Sequence, residues 1–237
     1  MAVEDPEAEV KPPHRIGGHF DPLSADPVDP NGPDQEEVYE AAEDTYLLLR
    51  AALEEVRPDD FVLELGCGRG AISKTIAPLV RRVIATDINP IAVDLLRREG
   101  IETVRADLFS GIGSRFDLIL FNPPYLPTGE EEVLEGWLNS AFDGGATGRM
   151  TINRFLEALG DHLEVGGGRA LLLISSLCGT SEVMEKALRE GLTAEVVARE
   201  RYFFEELLVL RLALPRWGDS SPPAMKSSQE ATVRRRI

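Results

Sequence analysis

The feature that most constrains the fold is a regular alternation of apolar runs and helical patterns between residues 42 and 214. Short runs rich in Val, Ile, Leu and Phe are typical of buried strands, and strands that alternate with helices form a parallel sheet covered on both faces. The last two runs have no helix between them and should pair antiparallel. We therefore predict an α/β fold with a seven-stranded, mostly parallel sheet and a C-terminal antiparallel strand. The seven runs are FVLELG, RRVIATD, IETVRAD, FDLILF, GRALLLISS, AEVVARERYF and ELLVLRLAL.

Both ends of the chain differ in composition from this central part. Residues 1–37 are dominated by Pro, Asp and Glu, and residues 215–237 by Ser, Pro and Arg. Neither segment has enough apolar residues to form a core, so we predict disordered tails on either side of one domain at 38–214. We expect a cytoplasmic protein without membrane contact, because no apolar run approaches the roughly 20 residues of a membrane span and the N-terminus lacks a signal-peptide layout.

The charge and the cysteine content exclude several classes of partner. The net charge is -16, and the segment 38–214 is acidic as well as the N-terminal tail. Proteins that bind nucleic acid usually need an excess of Lys and Arg, so nucleic acid is disfavoured as the direct substrate. The two cysteines and three histidines fit neither a zinc pattern nor a disulfide framework, and we expect no resident metal.

The first two strand ends carry a glycine-rich turn and a carboxylate. Ligands of parallel sheets bind outside the carboxyl ends of the strands, so residues at those ends are candidates for a site. In VLELGCGRG, the glycines Gly66, Gly68 and Gly70 allow a tight turn and a close approach of the backbone to a ligand. Asp87 ends the second run, where its carboxylate can accept both hydroxyl hydrogens of a ribose.

The third strand end completes what resembles an adenosine pocket, and the charge nearby indicates which adenosine ligand it suits. Asp107 can accept from an adenine amine, and the N–H of Leu108 can donate to a ring nitrogen. Glu64, within an apolar run, would repel a pyrophosphate but suits a cationic ligand such as S-adenosyl-L-methionine. The GxGxG spacing also differs from the GxGxxG of dinucleotide sites. An ion pair between Glu64 and Arg69 is the alternative.

The fourth strand end carries Asn122, Pro123, Pro124 and Tyr125 directly after the run FDLILF. Prolines have fixed φ angles and no N–H, and the residue before a proline is held extended. The segment therefore presents two acceptors, the side-chain oxygen of Asn122 and the carbonyl of Pro123. Two acceptors at a fixed separation match the hydrogens of a planar NH2 group, and Tyr125 offers a ring for stacking. A plain strand-ending turn is the alternative.

Such a clamp explains why FNPPYLPT contains no His, Cys or Ser. An amide or aromatic amine nitrogen is a poor nucleophile because its lone pair is delocalised. Carbonyl dipoles that hold both N–H bonds stabilise the positive charge that develops as the nitrogen attacks a methyl group. The methylated nitrogen is acidic, so no strong base is needed. The segment predicts methyl transfer to a planar NH2 group but does not separate adenine from glutamine.

Four segments in this order, VLELGCGRG, TDIN, ADLF and FNPPY, resemble the Rossmann-like class I S-adenosylmethionine-dependent methyltransferases that act on amino groups. The stretches VYEAAEDTYLLL (38–49) and DGGATGRMTINRF (143–155) are similar to the HemK/PrmC-type N5-glutamine methyltransferases, and most of all to their short archaeal and eukaryotic form. Ala41 stands where that family often has Pro. The resemblance implies methylation of the glutamine in the Gly-Gly-Gln tip of the class I translation release factor.

The resemblance also implies roles for individual residues and a partner. Thr45 would contact the cofactor, although a helix cap is the alternative, and Gly144, Gly145 and Gly148 could form a substrate lid or a plain flexible loop. The family's short members pair with a small zinc-binding activator protein, which would cover an apolar edge at the third strand. The implied cofactor contacts are Thr45, Glu64, Gly66, Gly68, Gly70, Asp87, Asp107, Leu108 and Asn122, and the implied catalytic residues are Asn122, Pro123, Pro124 and Tyr125, with Asn122, Pro123 and Tyr125 also binding substrate.

Three other functions remain open from the sequence. A nucleic-acid methyltransferase would use the same clamp on adenine N6 or guanine N2, but it would flip the base and usually carry basic surface. A lysine methyltransferase would not need a planar clamp, because an ammonium group is tetrahedral. A silent cofactor-binding scaffold would have no reason to keep Asn122.

Overall fold

The computed structural model describes residues 38–127, 137 and 143–215. The two predicted tails lie outside the described residues, apart from Pro215. No helix in the described part is long and apolar enough to span a membrane. The helices are α1 Glu43–Glu55, α2 Ala71–Ile76, α3 Pro90–Arg98, α4 Met150–His162 and α5 Thr180–Arg189; the strands are β1 Phe61–Leu65, β2 Arg82–Asp87, β3 Thr103–Arg105, β4 Leu118–Phe121, β5 Arg169–Ser175, β6 Thr193–Arg201 and β7 Glu206–Ala213.

The strands form one seven-stranded sheet in the order β3-β2-β1-β4-β5-β7-β6. Strands β1 to β5 are parallel, and β7 lies antiparallel between β5 and β6. The predicted fold class is confirmed, including the antiparallel C-terminal strand. Because β7 runs against its neighbours, the turn between β6 and β7 lies at the same sheet edge as the carboxyl ends of the parallel strands.

Both faces of the sheet are covered, which explains why the central strands are mostly apolar. Side chains alternate between faces along a strand. Leu63 and Leu65 of β1 belong to one core with α4 and α5, whereas Val62 belongs to the other core with α1 and α2. These buried strands form a rigid platform whose carboxyl ends hold the site.

A buried arginine ties the far end of α1 to the sheet. The guanidinium of Arg169, at the start of β5, donates to the carboxylate of Asp60 at 2.7 Å and also bonds the backbone carbonyl of Glu55. The side chains of Arg169 and Asp60 are each only 5% exposed. This anchor fixes the direction of α1, so that its first turn projects towards the carboxyl edge of the sheet.

Strand β3 forms one edge of the sheet, as expected, but it is shorter and less apolar than the sequence indicated. It contains three residues, of which Thr103 is buried and Arg105 is partly buried. Val104 is the one large apolar side chain of this strand that is markedly exposed, at 37%. The edge strand predicted at IETVRADL is thus present over a shorter length, with Thr103–Arg105 in register with β2 and flanking backbone bonds at Glu102 and Ala106.

Candidate active site

A cavity of about 350 Å³ lies at the carboxyl edge of the sheet. It is bounded by the ends of β1 to β4, by the first turn of α1 and by the start of α4. The structure therefore brings together residues that are far apart in the sequence. The predicted site residues that line this cavity are Thr45, Glu64, Gly66, Gly68, Asp87, Asp107, Leu108, Asn122, Pro123, Pro124 and Tyr125.

The glycine-rich turn has two roles. Gly66 and Gly68 have φ angles of 65° and 50°, which favour glycine, and both line the cavity. Gly70, predicted to bind the cofactor, lies outside the cavity lining. Its missing Cβ would stand 2.7 to 2.9 Å from the side chain of Leu96, so Gly70 allows α2 and α3 to pack closely.

Glu64 is a buried acid whose partners among the described residues are hydrogen-bond donors and not a cation. Its side chain accepts from the amide of Ser73 at 2.9 Å and from the Ser73 hydroxyl. The expected alternative partner, Arg69, instead lies 3.4 Å from Glu40. Burial raises the pKa of Glu64 to about 8, although the bonds from Ser73 oppose the shift. No cation of the described residues pairs with this group, so it fits a positively charged ligand.

The next two strand ends place two carboxylates on the same side of the cavity. Asp87 accepts from the amides of Gly68 and Asn89, both at 2.9 Å, and burial raises its pKa. Asp107 accepts from Arg154 of α4 at 2.7 Å, an ion pair that the sequence did not predict. The two carboxylates stand at consecutive strand ends, where a ribose and an adenine would be bound.

Leu108, beside Asp107, has an unusual backbone. Its φ angle is 49°, and it is the one non-glycine residue with a positive φ among those that the structure describes. A left-handed conformation costs an ordinary residue roughly 1–2 kcal/mol and is retained mostly where function needs it. The turn lies in the cavity lining, as its predicted role in binding the adenine ring requires.

Asn122 is held in one orientation and has an unused acceptor. Its side-chain nitrogen donates to Asp44 at 3.0 Å. Its side-chain oxygen is buried and has no hydrogen-bond partner among the described residues. A buried acceptor without a donor costs about 1–3 kcal/mol, so such a group in a native site calls for a ligand that donates.

Asp44 is a cavity-lining candidate for the site that the sequence reasoning did not identify. It is 6% exposed and accepts from Asn122, from the hydroxyls of Tyr39 (2.8 Å) and Tyr125 (3.3 Å), and from the amide of Thr45 (2.6 Å). Burial and the charge of Asp44 raise the pKa of both tyrosines. Thr45 lies inside α1 rather than at its cap, which is Ala42. Asp44 lies in the EDT run that the resemblance had already singled out, but an acidic residue in the first turn of a helix is common and does not by itself indicate a role in a site.

The loop at 144–148 packs tightly against the NPPY segment. The amide of Gly144 donates to the carbonyl of Leu126 at 3.0 Å. A Cβ on Gly148 would stand 2.3 Å from the carbonyl oxygen of Tyr125. The missing side chains of Gly144 and Gly148 make room for the backbone of Tyr125 and Leu126, which favours packing against this segment over a plain flexible loop. Thr128, the last residue of FNPPYLPT, lies outside the described residues.

Together these features define a class of enzyme. A parallel sheet presents two carboxylates where an adenosine binds, and beside them a buried acid suits a sulfonium or ammonium group. Next to this pocket, the side-chain oxygen of Asn122 has no hydrogen-bond donor among the described residues. This is the arrangement of a class I S-adenosyl-L-methionine-dependent methyltransferase that acts on a nitrogen.

Comparison with known proteins places the chain within this class. The family model described as methyltransferase small domain matches residues 42–204, which is most of the described fold. The chain belongs to this family, and the relatives that it matches over about 90% of their length are of the short HemK type.

Three relatives illustrate the similarity. The chain is 42% identical to the Methanocaldococcus jannaschii protein MJ0928, named as a protein N5-glutamine methyltransferase, over 73% of this chain and 90% of that protein. It is 32% identical to the human methyltransferase HEMK2, over 74% and 89% of the two chains. Among solved structures, the E. cuniculi Mtq2-Trm112 complex, described as methylating the termination factor eRF1, matches with a TM-score of 0.64 and 28% identity over 76% of this chain and 99% of that one.

Proposed function

We propose that this protein transfers a methyl group from S-adenosyl-L-methionine to the side-chain amide nitrogen of a glutamine, in the Gly-Gly-Gln tip of the class I translation release factor. The observation that carries the proposal is the buried side-chain oxygen of Asn122, which lacks a hydrogen-bond donor while Asp44 holds the nitrogen of the same side chain. The site therefore has an acceptor fixed in place for an N–H group of the substrate.

The cofactor fits the residues that are present. Glu64 would lie near its positive charge, Asp87 would accept from the ribose, and Asp107 and Leu108 would contact the adenine. Bound S-adenosyl-L-methionine supplies a methyl group made electrophilic by its sulfonium. The buried environment of Glu64 strengthens an electrostatic contact of this kind, because water does not screen it.

The NPPY segment would orient and activate the amide. Asn122 Oδ1 and the carbonyl of Pro123 accept the two N–H hydrogens, which holds the amide plane against the ring of Tyr125. Positive charge would develop on this nitrogen as it accepted the methyl group, with the cofactor departing as a neutral thioether. The two acceptors stabilise this charge, and the acidic methylated nitrogen then loses one proton to solvent.

The relatives support the choice of substrate and of partner. A Schizosaccharomyces pombe relative, 26% identical, is named as the catalytic subunit of the eRF1 methyltransferase. The similar E. cuniculi chain was solved as a complex with Trm112. We propose that this chain likewise forms a heterodimer with a small zinc-binding activator, seated at the short β3 edge where Val104 is exposed. A soluble, fully active monomer from purification of this chain alone would argue against that partner.

The deciding experiment is transfer of radiolabelled methyl groups into purified release factor by the heterodimer. Label should enter the intact factor and should be lost when the Gln of its Gly-Gly-Gln tip is changed to Ala. Label that persists in the altered factor would show that another side chain, such as a lysine, is the acceptor. Label that appears only in RNA would favour a nucleobase amine, and no label anywhere would indicate a scaffold.

A further inference from the structure

The turn between β6 and β7 carries the most exposed large apolar side chains of the described residues. Phe203 and Phe204 are 92% and 85% exposed, and their ring centroids are 4.6 Å apart in an edge-to-face arrangement. Single exposed apolar residues are ordinary on protein surfaces, but adjacent, nearly fully exposed aromatics are typical of interaction sites. We refer to Phe203 and Phe204 as the aromatic pair.

Hydrogen bonds hold the aromatic pair in place on the sheet. The amide of Tyr202 donates to the carbonyl of Glu205 at 2.8 Å, which closes the turn. The hydroxyl of Ser175, at the end of β5, donates to the carboxylate of Glu205, and Ser176 accepts from the amide of Glu206 at 3.0 Å. The turn is thus fixed to the carboxyl end of β5.

This position places the aromatic pair beside the amide-binding part of the cavity. The carboxylate of Glu205 is close enough to contribute to the raised pKa of Tyr125. Two further exposed apolar residues lie on the same side: Leu177, in the turn after β5, is 49% exposed, and Met150, which lines the cavity, is 54% exposed. Exposed apolar side chains are therefore present both at the cavity, in Met150, and at the ends of β5 and β6.

The size of the cavity indicates what this surface binds. A volume of about 350 Å³ is at the lower end of the range for small-molecule sites. Such a cavity cannot admit a folded domain, so a folded protein that inserts one glutamine must rest on the rim. The sheet order puts β3 at the opposite edge from β6 and β7, so a partner seated on β3 leaves the aromatic pair uncovered.

We infer that Phe203 and Phe204 form a docking surface for the folded protein that carries the acceptor glutamine, outside the site that binds the glutamine itself. This inference rests on the proposed function. It predicts that the aromatic pair contributes to recognition of the intact substrate protein and not to that of a short peptide, which reaches only the cavity.

The test uses the heterodimer with both phenylalanines changed, Phe203→Ala with Phe204→Ala. We expect the KM for intact release factor to rise about tenfold, because exposed aromatics at an interface are frequent hot spots. The KM for a short Gly-Gly-Gln peptide and the affinity for S-adenosyl-L-methionine should stay within about twofold. The matched control is Val165→Ala with Leu188→Ala, which removes two exposed apolar residues (71% and 58%) away from the site and should leave all three constants unchanged.

A binding measurement separates the inference from the proposed function. Titration calorimetry of release factor into the Asn122→Ala heterodimer, with and without the two Phe substitutions, needs no turnover. If the release factor binds more weakly only when the Phe substitutions are present, the docking surface is supported. That result holds even if the wild type transfers no methyl group. A lack of methyl transfer by itself would contradict only the proposed function. Unchanged binding and KM overturn the inference. An equal rise of the KM for the peptide and for the intact factor also overturns it. So does a self-association of the wild-type heterodimer that the Phe substitutions abolish. Pelleting of the wild type with anionic phospholipid vesicles, lost on Phe substitution without any change in KM, would likewise overturn it.

Discussion

The two halves of the cavity differ in how their polar groups are satisfied. In the half formed by β1 and β2, the chain supplies its own donors: Glu64 accepts from Ser73, and Asp87 accepts from the amides of Gly68 and Asn89. In the half formed by β4, the oxygen of Asn122 has no donor among the described residues. The carboxylates of the first half therefore have donors from the chain itself, whereas the Asn122 acceptor of the second half lacks one.

This difference indicates which interactions contribute to the binding free energy of the cofactor and of the substrate. The cofactor half offers carboxylates already oriented by backbone amides, so binding costs little reorganisation. The substrate half contains an acceptor whose burial costs about 1–3 kcal/mol until a donor arrives. Asp44 makes this state possible, because it holds the nitrogen of Asn122 and leaves the buried oxygen of the same side chain without a donor among the described residues.

The strongest test of the comparison removes the acceptor. Asn122→Ala should lower the rate of methyl transfer by about 10³-fold, since a single group that stabilises developing charge is worth roughly 10²–10³ in other enzymes and orientation of the amide is lost as well. The affinity for S-adenosyl-L-methionine, measured by calorimetry, should stay within a few fold. An equal loss of both would recast Asn122 as a cofactor residue only.

The next largest effect should come from the residue that orients Asn122. Asp44→Asn keeps the shape of the side chain, but its amide NH2 can donate a hydrogen bond to the side-chain oxygen of Asn122. The Asn122 amide group can then flip by 180°. We therefore expect kcat to fall about 10²-fold with a smaller change in KM. Tyr39→Phe removes only one of the donors to Asp44 and should lower kcat by less. If Asp44→Asn lowered the midpoint of thermal unfolding strongly and left kcat of the folded fraction unchanged, its role would be structural.

The packing behind the substrate half can be tested through stability. Gly148→Ala forces a Cβ to within 2.3 Å of the Tyr125 carbonyl oxygen at a φ of +68°, so we expect the free energy of unfolding to fall by about 2 kcal/mol. Gly113→Ala, whose added Cβ meets nothing within 4 Å, is the control and should change it by less than about 0.5 kcal/mol. Equal urea midpoints for the two variants would contradict the packing described.

The smallest expected effect concerns pH and the cofactor half. Glu64 has a pKa of about 8, and a cationic ligand binds best to its ionised form. The affinity for S-adenosyl-L-methionine should therefore rise by several fold between about pH 6 and pH 8 and then level off. Glu64→Gln should bind more weakly and lose this dependence. A wild-type affinity that is flat across that range would show that Glu64 is already charged.

The same group has a consequence for stability without the cofactor. Between its ordinary pKa of 4.5 and the folded value of about 8, folded Glu64 keeps a proton that the unfolded chain has lost. Its contribution to the free energy of unfolding is fully present below about pH 4.5 and is lost as pH rises through 8. Urea unfolding of the wild type and of Glu64→Gln at a series of pH values would reveal the difference.

Much of the fold could be predicted because it follows from local rules. Seven apolar runs, each spaced by a helix or a turn, determined the sheet and the edge at which its parallel strands end. The glycine turn after β1 and the NPPY segment after β4 were recognisable because glycine and proline restrict the backbone wherever they occur. All predicted site residues except Gly70 consequently lie around one cavity.

The pairing of polar side chains could not be predicted in the same way. Glu64 was a candidate for pairing with the nearby Arg69, but it bonds Ser73 in the first turn of α2. Asp107 is engaged by Arg154, 47 residues away, and Asn122 by Asp44, 78 residues away. Such partners depend on how helices pack on the sheet, which side-chain periodicity does not specify.

The sequence by itself determined the sheet, the strand ends and the chemistry of a rigid amide between two prolines. Only the tertiary structure decided which way that amide faces. Backbone conformations depend on neighbouring residues, but the orientation of Asn122 depends on a carboxylate that α1 brings in from 78 residues away, held there by the packing of that helix and by Arg169 at its far end.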